Sequence, residues 1–99
     1  MKSRDVIFSP EARDDLLSIY NWIAPRGGAQ VAMNYLDRLE AYCLKLEFAS
    51  ERGHRRDEIR EGLRIIGFER RVTIAFVVGD EKVTILRMFS GGQDWETAF

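Results

Sequence analysis

"RVTIAFVVGDEKVTILRMF", residues 71–89, holds two runs of β-forming residues on either side of a short polar turn. Residues 71–78 and 82–89 concentrate β-branched and aromatic side chains, which pack well on a pleated surface. Gly79-Asp80-Glu81 between them reads as a hairpin turn. Strict alternation along 83–89 puts Val83, Ile85 and Arg87 on one side of the strand and Thr84, Leu86 and Met88 on the other. A third run, "GLRIIGF" (62–68), has the same character, so three consecutive strands are expected in the C-terminal half. Arg64 and Arg87 lie inside these strands, where an unpaired charge is costly, so each needs a partner.

Outward from this sheet, the N-terminal half reads as helices. "DVIF" (5–8) is a short opening strand, and "SPEA" is a helix start with Ser9 as N-cap and Pro10 at the first helical position. Ala12, Leu16, Ile19 and Ile23 recur at helical spacing, which predicts a helix over about 10–25, broken by Pro25 and the Gly27-Gly28 pair. A second helix over 29–48 carries Ala32, Leu36, Leu39, Cys43 and Leu46 on one stripe, flanked by Tyr35 and Tyr42. Two amphipathic helices joined by a tight turn form an antiparallel hairpin whose apolar face needs a sheet to cover. The expected fold class is therefore α+β, in the order β-α-α-β-β-β, with the helix hairpin packed on a small, mainly antiparallel sheet. "SGGQDWETAF" (90–99) reads as a glycine-rich turn and a short tail with one helical turn.

Ninety-nine residues suit one domain, 1–99. A composition of 45% hydrophobic and 31% charged residues is that of a globular chain. No apolar run approaches the roughly 18 residues of a membrane span, and "MKSRDVIFSP" has no secretory apolar core. Cys43 is the single cysteine, which excludes an internal disulfide and fits a cytoplasmic location. The formal net charge is −1, which argues against salt-driven, generic nucleic-acid binding. The charge is uneven: residues 52–71 hold seven basic and four acidic side chains. Arginines outnumber lysines twelve to three, which favours forked pairing with carboxylates or phosphates.

"FSPEARDDLLSIYNWIA" (8–24), "GLRIIGFERRVTIAFVV" (62–78) and "VTILRMFSGGQDWE" (83–96) together resemble the RelE/ParE superfamily of toxins from bacterial type II toxin–antitoxin modules, in family order over nearly the whole chain. The resemblance is to the ParE branch, the plasmid stabilisation proteins. It implies a helix hairpin on a curved sheet, and an antitoxin whose C-terminal segment wraps the toxin along the hairpin and the sheet edge. The resulting hetero-oligomer is inert. ParE-type toxins poison DNA gyrase, whereas RelE-type toxins share the fold and cut messenger RNA on the ribosome. Gyrase inhibition is the expected function. A RelE-like ribonuclease and an inactive homologue that only binds antitoxin are the alternatives. No direct sequence-specific contact with nucleic acid is expected.

Ribonuclease chemistry needs a base, an acid and positive charge on the phosphorane. Arg64 stands where the resemblance implies a basic residue, but Ile66 and Thr73 stand where RelE carries Lys and Arg. The C-terminal segment offers Ser90, Gln93 and Asp94, without His or Tyr, so no catalytic residue is expected. His54, the single histidine, precedes the strands and reads as a solvated loop residue. One His and one distant Cys give no metal-ligand spacing, Cys43 belongs to the apolar stripe, and no cofactor is expected. Glu11, Asp14 and Asp15 read as helix N-terminal acids. "FSGGQD" lacks the ending of a phosphate loop. Arg52, Arg55 and Arg56, beside Asp57 and Glu58, read partly as exposed ion pairs, and Arg60 neighbours Glu61. The candidates for contact with target or antitoxin are Arg60, Arg64, Arg70, Arg71 and Arg87. Arg87 with Asp94 is the candidate structural lock.

Overall fold

The computed structural model describes residues 3–91 and 95–99. The strands are β1 (Asp5–Phe8), β2 (His54–Arg55), β3 (Leu63–Phe68), β4 (Val72–Val78) and β5 (Lys82–Ser90), and the helices are α1 (Pro10–Gly27) and α2 (Ala29–Leu44). Single 3₁₀ turns follow at Lys45–Glu47 and Trp95–Ala98. The strands form one five-stranded sheet in the order β1-β5-β4-β3-β2. β1 runs parallel to β5 and the remaining pairs are antiparallel. This is the expected α+β arrangement of a helix hairpin on a small, mainly antiparallel sheet, with β1–β5 the one parallel pair among the described strands.

Ser9 sets the entry into α1. Its backbone is extended (φ −64°, ψ 161°) and its hydroxyl accepts from the Ala12 N–H at 3.0 Å, satisfying one orphan donor of the first turn. The same hydroxyl donates to the Leu86 carbonyl at 2.8 Å, so the cap also moors the helix to β5. The helix does not stop at Pro25. It continues through the proline to Gly27, because a proline one turn from the end deprives only the Asn21 carbonyl of its donor. The break falls at Gly28, whose φ of +95° a β-carbon would disfavour, and α2 begins at the next residue. α2 ends at Leu44 rather than near 48, and a 3₁₀ turn keeps Leu46 buried.

The main core lies between the hairpin and one face of the sheet. It gathers Ala12, Ile19, Tyr35, Leu39 and Cys43 from the helices, and Val72, Ile74, Phe76, Val83, Ile85 and Met88 from the strands. Phe76, Leu39 and Ile85 have no exposed surface, and burial of each side chain contributes about 2–3 kcal/mol. A second, smaller core sits on the opposite face. There Leu63, Ala75 and Phe89 are covered by Ile59, Leu86, Trp95 and Phe99. Residues 95–99 thus cover the far side of the sheet, fastened where the Arg56 guanidinium lies 5.0 Å over the Trp95 ring.

Alternation along β5 is broken. The register passes from Ala75↔Arg87 to Phe76↔Ile85, so a bulge at Leu86 shifts the phase. Met88 therefore joins Val83 and Ile85 beneath the helices, and Arg87 falls opposite Ala75 on the far face, reversing both residues relative to simple alternation. β2 is also unexpected: His54 and Arg55 pair with Ile65 and Arg64 at the sheet edge, so His54 is a strand residue rather than a loop one.

Candidate protein-binding groove

The five candidate arginines do not converge. Arg87 lies where β1 ends. Beyond the Phe8↔Ile85 pair β5 has no strand neighbour on that side among the described residues, and Asp15 of α1 takes that place. Its carboxylate accepts from the Met88 backbone N–H at 2.8 Å and from the Arg87 fork, Nε at 2.8 Å and Nη2 at 3.1 Å. That fork holds the Arg87 guanidinium charged beyond the ordinary arginine range, against the opposing effect of burial. The Arg87 guanidinium also lies 4.8 Å over the Phe89 ring. Asp94, the expected partner, lies outside the described residues. The Arg87 fork is held by Asp15, a residue read from sequence only as a helix-terminal acid. Arg60 is exposed and lines a small cavity with Arg87, Ser9 and Glu11.

Arg64, across β4 from that region, lines a polar cavity of about 250 Å³ with Arg4, Glu51, Arg55 and Asp80. It donates to the Arg52 carbonyl at 3.3 Å and lies directly across from Arg55. Two like charges opposite one another are unfavourable. Asp57 offsets them by pairing with Arg55 at 3.1 Å. The Gly62 N–H, followed by Arg55 and Arg64, holds the Asp57 carboxyl below the usual range. Ile66 packs toward the helices, whereas Thr73 pairs with Gly67 and Phe89 on the other side, so the two positions do not share a face. Gln93 also lies outside the described residues.

Arg70 and Arg71 lie at the β3–β4 turn. Glu69 and Arg70 have φ of +48° and +59°, and the Arg71 N–H closes the turn on the Phe68 carbonyl at 3.0 Å. A two-residue turn with both central residues left-handed normally recruits Asn-Gly, and two side-chain-bearing residues there store strain. Arg38 of α2 holds this turn with a forked pair to Glu69, at 2.9 and 3.1 Å, which keeps the Glu69 carboxyl below the usual range. Arg70→Gly removes part of the strain and leaves that pair in place. It is expected to stabilise the fold by about 1 kcal/mol in thermal or urea unfolding. An unchanged or lower midpoint would show that the turn is relaxed.

The helix hairpin and this turn enclose the principal groove. One cavity of about 370 Å³ is lined by Ile19, Trp22, Ile23, Tyr35, Arg71 and Val72, among others. A shallower one beside it adds Arg26, Val31, Asn34, Arg38 and Glu69. Trp22 is 54% exposed and Val31 52%, which is unusual for apolar groups so close together. The Arg26 guanidinium lies 4.4 Å over the Trp22 ring. Tyr35 packs edge-on to Phe68 at 5.6 Å, and burial raises its phenol above the usual tyrosine range. The Tyr35 hydroxyl has no hydrogen-bond partner among the described residues. Chemically the groove combines an apolar floor, an aromatic wall and an arginine rim, a lining that could accommodate an amphipathic chain. Of this groove, sequence reading offered only Arg71 as a contact candidate, while Ile19, Ile23 and Tyr35 were read as belonging to or flanking the apolar stripes. Trp22 was legible as a large apolar residue off the Ala12–Ile23 stripe.

A model of the ParE toxin of type II toxin–antitoxin systems, parDE, matches residues 6–95. The chain belongs to this family. It is also similar in fold to a chain of the chromosomal ParDE system from P. aeruginosa. That match has TM-score 0.77 and 22% identity, and covers 89% of this chain and 96% of that one. The toxin–antitoxin complex RelBE2 from Mycobacterium tuberculosis contributes a second match, with TM-score 0.64 and 18% identity over 94% of this chain and 97% of that one. No curated protein sequence matches significantly. The family accounts for the hairpin-on-sheet layout. No helix among the described residues is long and apolar enough to cross a membrane.

Proposed function

We propose that this chain is a cytoplasmic toxin that inhibits DNA gyrase by binding rather than by catalysis, and that a cognate antitoxin neutralises it by laying a segment into the groove between α1, α2 and the β3–β4 turn. The observation that supports the binding surface most is the exposed Trp22–Val31 apolar patch beside Arg26, Arg38 and Arg71. A patch of this kind suits an amphipathic partner with acidic character. Family membership and the ParDE neighbour favour gyrase as the target. Arg64 and Arg70 remain exposed enough to contact it, and Arg60 and Arg87 line the far edge.

The test is a gyrase supercoiling assay with purified protein, with and without the product of any small reading frame adjoining the gene. Inhibition at stoichiometric toxin, relieved by that product, is the expected result. Full supercoiling at excess toxin would refute the target. Cleavage of messenger RNA on ribosomes in a translation extract would assign the RelE-like activity instead. Normal growth on induction without antitoxin would mark an inactive homologue.

A further inference from the structure

We propose that the junction of the two groove cavities, at Tyr35 and Arg71, is a socket for a carboxylate carried beside an apolar side chain on the bound protein segment. This rests on the reading that a protein segment occupies the groove. Trp22, Ile23, Tyr35 and Arg71 line both cavities, so the phenol stands where they meet. Tyr35 is only 7% exposed, and its hydroxyl is buried without a hydrogen-bond partner among the described residues. A buried donor left unmade is unfavourable, so a ligand that supplies an acceptor gains more there than at a satisfied site. Trp22 and Arg71 line both cavities beside Tyr35 and are exposed, so the inference requires that a rotamer change of one of them admits the carboxylate to the hydroxyl.

Charge selects the acceptor. Among the described residues the rim carries Arg26, Arg38 and Arg71 against one acid, Glu69. Arg38 is committed to Glu69 and Arg26 lies over Trp22, whereas none of the described ion pairs includes Arg71. An incoming carboxylate would accept from the Tyr35 O–H and the Arg71 guanidinium together, which is the stronger, charge-assisted form of the bond. The apolar floor of Ile19, Ile23 and Val72 takes the neighbouring side chain. A neutral amide or hydroxyl would satisfy Tyr35 but leave Arg71 with only its longer-range attraction to Glu69, so the socket discriminates among partner segments by charge.

The inference gives Tyr35→Phe opposite effects on the free chain and on the complex. Removing an unpartnered hydroxyl should leave the Tm of the free chain unchanged or raised. The same change should weaken binding of the adjoining-frame protein at least tenfold by calorimetry. Arg71→Gln should weaken it similarly, and the double variant by less than the product of the two, because both groups hold one carboxylate. Binding by Tyr35→Phe as tight as wild type overturns the inference while leaving the toxin–antitoxin reading intact. A second arm titrates 3-phenylpropionate and its neutral amide, followed by NMR. Shifts at Tyr35 and Arg71 with the acid, lost in Tyr35→Phe, support the socket even if no antitoxin binds, in which case the functional reading alone falls. Equal response to acid and amide overturns it.

Discussion

Asp15→Ala is expected to destabilise the fold by about 2–3 kcal/mol. For a domain of this size that is a fall in Tm of roughly 10–20 °C. The carboxylate does three things at once: it accepts from the Met88 N–H and from both arms of the Arg87 fork. Its removal strands a guanidinium whose side chain is 31% exposed and leaves an N–H of β5 without an acceptor. Breaking a fully buried pair from one side costs about 3–5 kcal/mol, and the partial exposure here sets the figure lower. Asp15→Asn separates the contributions, since it keeps an acceptor for the Met88 N–H but loses the charge, and should fall between Ala and wild type. If Asp15→Ala melts within 2 °C or so of wild type, the pair is an exposed ornament rather than the joint between α1 and β5. Because Ser9 fastens α1 to Leu86 close by, loosening this joint should also let the hairpin shift on the sheet and disturb the groove.

That joint shows what the amino-acid order discloses and what it conceals. Periodicity disclosed the hairpin, the three long strands and most of the core, because helical and strand spacing act within a few residues of each other. It concealed partners far apart in the chain. Arg87 visibly needed a carboxylate, yet Asp15 is 72 positions away. A signal was present: Asp15 falls three residues after Ala12 and four before Ile19, on the buried stripe of α1, where an acid is out of place unless paired. The bulge at Leu86 was illegible, since one extra residue in β5 changes which side chains face the helices without altering composition. β2 is held by its register against β3 rather than by local propensity, so no pattern in two residues could announce it. The groove escaped notice for a similar reason: Trp22, Tyr35 and Arg71 belong to three elements and meet only in the folded chain.

Gly53→Ala is expected to peel the arginine-rich edge from the sheet, at a cost of about 2–3 kcal/mol. Gly53 has φ of +76°, and a β-carbon built there would sit 2.1 Å from the Ile65 carbonyl oxygen and 2.9 Å from its carbon. The obstacle is the backbone of β3, which has no rotamer to change. Relief comes only by withdrawing the chain from β3, and that movement breaks the His54↔Ile65 and Arg55↔Arg64 pairing and takes the Arg52 carbonyl away from Arg64. Peeling an edge is local, so the loss is capped by the free energy holding that edge rather than by global stability. Hydrogen exchange reads it directly: the Arg56 N–H, bonded to the Leu63 carbonyl at 2.8 Å, should lose protection while the amides of β4 keep theirs. Gly28→Ala is the matched comparison, because its φ is +95° but nothing lies within 4 Å of the added carbon. It should cost about 1–2 kcal/mol from backbone strain alone, and its effect should appear at the α1–α2 junction, not at the edge. Equal losses from the two substitutions, with Arg56 still protected in Gly53→Ala, would mean that close packing against β3 does not hold the arginine segment in place.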